Sequence, residues 1–296
     1  MFNYNRTLEK KQRCGYAGGM TLSDRNNAFR LGIAFSILCL AICIAASFKA
    51  IPAYAVMEDE INRRPEGILQ VLFSQFSNVQ LLAAHWCIVG MVLYSVLSVI
   101  FIHYSFEKTQ SPEIMYIVLF AASFSFEALR LVLPLMWVYE IPSLYLLMAS
   151  RLIVFGRYLG IFSLFSASVF AVGLKVQKQR NVIMVITIIT LIIALGFPID
   201  TQIWDSSLNM INGYVSTLRL IELGAVFITI ISFFVAAWLR SSQEFTFISI
   251  GVAFAFLGRA FLLTADTWAG LPIGLPLLVI GTWLICTRLH KIYLWL

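Results

Sequence analysis

The sequence predicts an all-α fold, a polytopic transmembrane helix bundle of about eight spans. Apolar residues make up 60% of the 296 residues and charged residues only 12%, about half the charge of an average soluble domain. Mean hydropathy is +0.87. The apolar residues also come in blocks of about 20, the length that crosses a bilayer core as a helix. Water-soluble helices instead show narrow apolar stripes.

Taken in order, the first block is 28–50, behind a polar tail at 1–27. It runs into AIPAYA, where Ala53, Tyr54 and Ala55 have the small-x-small spacing of a signal-peptidase site. The apolar run is longer than a signal core and Lys49 interrupts the approach, so an uncleaved span is expected. The second and third blocks are 79–104 and 114–138. Between the first two, Pro65 opens a stretch that puts Ile68, Leu69, Leu72, Phe73 and Phe76 on one helical face. That pattern predicts a short amphipathic helix over 65–78 on the bilayer surface, or a loop tucked on the bundle. The fourth block, 143–176, is long enough to tilt or project. The remaining blocks are 182–199, 214–239, 245–265 and 271–289, leaving 290–296 as the other end. The membrane domain is thus 28–289.

Lysine and arginine set the orientation. With the N-terminus in the cytoplasm, 13 basic residues fall on the inner side and only Lys49, Arg63 and Arg64 on the outer side. The outer loops are acidic instead, with Glu58, Asp59, Glu60, Glu66, Glu140, Asp200, Asp205 and Asp266. Both termini are therefore expected in the cytoplasm, and the chain in the cytoplasmic (inner) membrane. The net charge of +6 does not point to nucleic acid, because the basic residues lie at span edges rather than on one polar segment. The implied partner is the lipid bilayer.

Of five cysteines, Cys14 lies in the tail, while Cys39, Cys43, Cys87 and Cys286 fall in or beside apolar blocks. No disulfide framework follows. Cys39 and Cys43 share a helix face with no His or acid beside them, which reads as packing rather than a metal site. The stretch from Ser111 resembles the stretch from Ser242: each opens Ser-x-Glu, carries an arginine, and reaches Trp137 or Trp268. Arg157 and Arg288 keep the same offset, which suggests a weak parallel repeat of four spans and four.

No phosphate loop, Gly-x-Ser-x-Gly elbow or His-x-x-His spacing is present, and His85, His103 and His290 are scattered. No metal or cofactor is expected. An intramembrane lipid enzyme using Glu127, Glu222 or His85 would lack a nucleophile–base pairing.

The informative residues are the charges inside the spans: Glu127, Arg130, Arg151, Arg157, Arg219, Glu222 and Arg259. An ionisable group at the bilayer centre costs about 3 kcal/mol even on lenient insertion scales. Glu127 with Arg130, and Arg219 with Glu222, stand three apart, so each helix is expected to neutralise itself locally. Arg157 and Arg259 have no acid nearby in sequence. All seven fall at the midplane or in the outer half. Five arginines against two glutamates leave +3, and the planar guanidinium suits carboxylate or phosphate. Trp137, Tyr139, Tyr145, Tyr158 and Trp268 are available for an aromatic rim.

Pro134, Pro198, Pro272 and Pro276 place breakers near the outer span ends, as beside transporter sites. Gly156 and Gly160, four apart, predict a close-packing face next to Arg157. The expectation is an outward-facing, Arg-rich pocket for an anionic solute or lipid headgroup in a small transporter. The alternatives are a sensor input or accessory subunit acting through a separate membrane partner, and a structural protein in which the charges only hold the bundle together.

Overall fold

The computed structural model describes residues 22–61, 81–106, 111–139, 142–265 and 267–294. The amphipathic stretch 65–78, Cys14 and most of the polar tail lie outside the described residues. The helices are α1 (Leu22–Ile61), α2 (Leu81–Phe106), α3 (Pro112–Ser123), α4 (Val132–Tyr139), α5 (Ser143–Val172), α6 (Gln179–Gly196), α7 (Val215–Leu239), α8 (Gln243–Leu263) and α9 (Gly270–Leu294). A 3-10 segment, Phe124–Leu131, joins α3 to α4 so that the three cross as one unit. Among the described residues, eight such helices are long and apolar enough to cross a membrane.

Two features depart from the all-α expectation. Between α6 and α7 the chain forms an antiparallel hairpin of β1 (Ile199–Trp204) and β2 (Met210–Asn212). Ile199 pairs with Asn212 and Asp200 with Ile211, and the register shifts before Trp204 meets Met210. The turn uses Asp205, whose carbonyl accepts the Leu208 amide at 2.9 Å, and Leu208 takes a left-handed φ of 59°. Leu208 and Met210 are buried, so the hairpin tip packs on the bundle. The second departure is the 3-10 segment itself. Pro134 follows it and has no amide to bond the Arg130 carbonyl, so the α-helical pattern cannot run unbroken through this point.

The core sits between α2, the α3 unit and α5. Their apolar windows are 61%, 72% and 67% buried, against 11% for α1 and 22% each for α6 and α7. The outer helices thus present Leu38, Ile192 and Phe227 where lipid, as apolar as the core, is the natural neighbour. Small residues bring the backbones together. A Cβ on Gly156 would lie 2.6 Å from Phe126 Cβ, and one on Gly160 would strike Ser123 Oγ. The expected glycine face of α5 therefore receives the α3 unit. Gly258 and Gly274, and Gly251 and Gly281, interlock α8 with α9 in the same way. Buried hydroxyls add cross-helix bonds: Ser36, Ser95 and Ser125 form a triangle with sides of 2.8–3.2 Å linking α1, α2 and the 3-10 segment.

The bundle has two distinct ends. At the termini end, where α1 starts and α9 finishes, Arg25 donates to the Phe106 carbonyl and Tyr293 to Glu113. The hairpin lies at the other end and, with the first turns of α7, frames the charged cluster.

Candidate functional site

The cluster is built around Glu127, in the middle of the 3-10 segment. Its carboxylate is 3% exposed and accepts two 2.7 Å bonds from the Nε and Nη2 of Arg157 on α5. This fork-on-carboxylate geometry is the strong form of the ion pair. Gly156 makes it possible, since the α5 backbone can approach Phe126 and so bring the neighbouring Arg157 to Glu127. Arg130 sits one 3-10 turn on and reaches Glu127 only at 3.5 Å. The second acid, Glu222 on α7, lies 3.5 Å from Nη2 of Arg259 on α8 and is 39% exposed.

These pairings correct the expectation of local neutralisation. In both acids the main partner comes from another helix. Glu127 meets Arg157 more closely than Arg130, and Glu222 turns to Arg259 while Arg219, on its own helix, has no ion-pair partner among the described residues. The i,i+3 spacing places side chains on one face but does not decide which carboxylate another helix will claim.

Arg157, Arg219, Glu222 and Arg259 converge on one cavity of about 130 Å³ between α5, α7 and α8. Tyr158 lines it as well, its hydroxyl committed to the Leu218 carbonyl at 3.0 Å. Val154, Ile161, Val215 and Leu218 supply an apolar wall. Arg219 is exposed, so the cavity is reached from the surface beside the first turns of α7. Glu127 and Arg130 stand behind Arg157 rather than on the lining. Arg151 is apart: it does not line the cavity, and its Nε is buried without an acceptor among the described residues. The aromatic rim is not assembled, because Tyr139, Tyr145 and Trp268 are exposed and off the lining. The side chain of Trp137 is outside the described set. His85 is buried elsewhere, bonded through Nδ1 to the Tyr54 hydroxyl at 2.7 Å.

Cations outnumber acids here. Arg130, Arg157, Arg219 and Arg259 stand with Glu127 and Glu222, and Asp205 of the hairpin turn also attracts Arg130, which leaves a formal +1. Several buried donors also lack acceptors among the described residues: Nη1 of Arg259, and Nε and Nη2 of Arg130. Arg259 is 3% exposed. A buried charged donor without an acceptor costs about 1–3 kcal/mol or more.

Sequence reasoning missed Asn209. Its Oδ1 accepts from Arg157 Nη2 at 2.7 Å, its Nδ2 donates to Ser207 at 2.8 Å, and it reaches the Leu263 carbonyl at 3.5 Å. The hairpin thereby completes the shell of Arg157. The available signal was the polar turn DSSLN between two short apolar-containing runs. Searches with the whole chain match no family model, no curated protein and no solved structure.

Proposed function

We propose that this chain is a small transporter of the cytoplasmic membrane, with both termini inside, whose cavity opens outward and binds an anionic solute or lipid headgroup. The observation that carries the reading is the convergence of Arg157, Arg219 and Arg259 on one cavity with a single lining acid. A bundle held together by ion pairs alone would match each cation with its own acid and leave no shared hollow. Here Nη1 of the buried Arg259 has no acceptor among the described residues, and a carboxylate or phosphate oxygen is the natural acceptor for a guanidinium. The basic residues at the termini end, Lys175, Lys178, Arg240 and Lys291 among them, support a cytoplasmic position for that end and an outward position for the hairpin, by the bias of lysine and arginine toward the inner side.

The test is direct. The purified chain in phosphatidylcholine nanodiscs is titrated with inorganic phosphate and with butyrate, followed by calorimetry and thermal shift. Binding is expected for the wild type, with a loss of about tenfold or more for Arg259→Ala. Equal binding by wild type and Arg259→Ala would remove the cavity from the mechanism. Uptake of labelled anion by proteoliposomes separates transport from binding alone, the latter being the result a sensor or accessory subunit would give.

A further inference from the structure

We infer that Glu222 is a built-in counter-ion that the ligand displaces, and that the ligand pairs an anionic group with a short aliphatic body. This rests on the anion-pocket reading just given and deepens it. The two acids of the cluster are held in different ways. Glu127 is 3% exposed and doubly bonded at 2.7 Å, so it is a fixed part of the frame. Glu222 is 39% exposed and touches Arg259 through one contact at 3.5 Å, the limit of hydrogen-bond range. Arg259 itself is buried, lines the cavity and keeps Nη1 without an acceptor among the described residues. A carboxylate on a tether, loosely placed against a cation with an unused donor, is what an entering anion can replace. The incoming oxygens would take Nη2 from Glu222 and reach Nη1, forming the two-point contact that Glu222 does not make. Glu222 is then released toward the surface it already half occupies.

The rest of the lining sets the ligand's shape. Val154, Ile161, Val215 and Leu218 share the lining with the guanidinium groups and give it an apolar part. An apolar cavity of about 150 Å³ takes a benzene molecule, so about 130 Å³ accommodates one anionic group and a body of a few carbons. A short-chain phosphate monoester or carboxylate has this form. So does the phosphate and first glycerol carbons of a lipid headgroup.

The experiment uses the full chain in phosphatidylcholine nanodiscs, titrated with butyl phosphate and inorganic phosphate. Butyl phosphate is expected to bind the wild type several-fold tighter than inorganic phosphate, since each buried methylene favours binding by a few-fold. Glu222→Gln is expected to tighten butyl phosphate about fivefold. Because that change also adds net positive charge to the cavity, Glu222→Asp is the decisive variant. It keeps the charge and withdraws the carboxylate by one methylene, so tightening there supports displacement. Wild-type binding that Glu222→Asp leaves unchanged or weakens overturns the counter-ion role while sparing the pocket, whatever Glu222→Gln does. Inorganic phosphate binding as well as butyl phosphate overturns the aliphatic wall. No binding of either probe to a folded wild type overturns the pocket reading and this inference with it. Adding phosphatidylglycerol to the nanodiscs assigns the source: competition with butyl phosphate identifies a lipid headgroup, and unchanged affinity identifies a free solute.

Discussion

At the termini end of the bundle, Glu244 meets Lys291 at 2.6 Å and Arg288 at 3.1 Å, while Glu113 accepts from Ser111 and Tyr293. Arg288 also lies 4.3 Å over the Phe247 ring. At the hairpin end, Glu127 answers Arg157 and Arg130, and Glu222 answers Arg259. The two ends differ in how the cations around their acids are exposed. At the termini end Glu113 and Glu244 are surrounded by donors, and Lys291 and Arg288 are 53% and 31% exposed, so water completes the shells of these two cations. At the hairpin end the cations are in excess, Arg130 and Arg259 are at most 4% exposed at the side chain, and their leftover donors are buried. Salt bridges near water hold helix ends loosely together. Of these leftover donors, Nη1 of Arg259 belongs to a residue on the cavity lining, and it is the one that the proposed anion would satisfy.

The sharpest way to test that contrast is Glu127→Gln. The substitution keeps the shape but leaves Arg157 and Arg130 without their buried acid. Removing one partner of a buried pair costs about 3–5 kcal/mol, so unfolding in detergent should show a loss of that size. A loss below about 1 kcal/mol would mean that the cluster is hydrated well enough to behave like the termini end.

The next effect is steric and tests how the cluster is assembled. Gly156→Ala adds a Cβ that would lie 2.6 Å from Phe126 Cβ, whereas Gly196 has nothing within 4 Å of such an atom. Gly156→Ala should destabilise by about 1–3 kcal/mol through overpacking. Gly196→Ala, in the last turn of α6, should be neutral or slightly stabilising. Since the Gly156 contact lets Arg157 reach Glu127, the first variant should also weaken anion binding. Equal thermal midpoints for both variants would refute the close approach of α5 to the 3-10 segment.

Asn209→Ala comes third. It removes the acceptor for Arg157 Nη2 and the tie to Ser207, a loss of about 1.5–3 kcal/mol for bonds to a charged group when buried and less here, where Arg157 is part exposed. Hydrogen exchange should accelerate across 199–212 and stay unchanged in α9. Unchanged exchange in the hairpin would show that Leu208 and Met210 alone hold it down.

How far the sequence foresees these features depends on the range of the interaction. Span-length apolar blocks are a property of local composition, and all eight correspond to helices of membrane-crossing length. The Gly156–Gly160 face was visible because small residues four apart on a helix have few other uses. The seven charged positions stood out because charge in a span is costly. Their partners did not, since Arg157 and Glu127 are thirty residues apart and only the packing of α5 on the α3 unit joins them. The matching offsets of Arg157 and Arg288 show the same limit: one answers Glu127 in the buried cluster, the other Glu244 near the surface. The 3-10 segment was hidden because FSFEALRL carries good helix formers and its departure from α-geometry depends on Pro134 and the neighbouring helix. The hairpin was hidden because its strands are short, and the polar turn between them looks like any loop.

The smallest effect belongs to the termini end. Glu244→Gln removes the acid from a cluster whose members are all part exposed: Glu244 by 20%, Arg288 by 31% and Lys291 by 53%. Exposed ion pairs contribute about 0.2–1 kcal/mol, and Arg288 keeps its contact with the Phe247 ring. The expected loss is therefore under about 1 kcal/mol, shrinking further as salt is raised, because screening acts on surface pairs. Glu127→Gln should show no such salt dependence, since its cluster is buried. Unfolding both variants across a salt series measures the contrast in one experiment. If the Glu244 variant lost as much stability as the Glu127 variant, and lost it at every salt concentration, the termini end would be the rigid one. The excess of buried arginine at the other end would then be a local feature with no special place in the energetics of the fold.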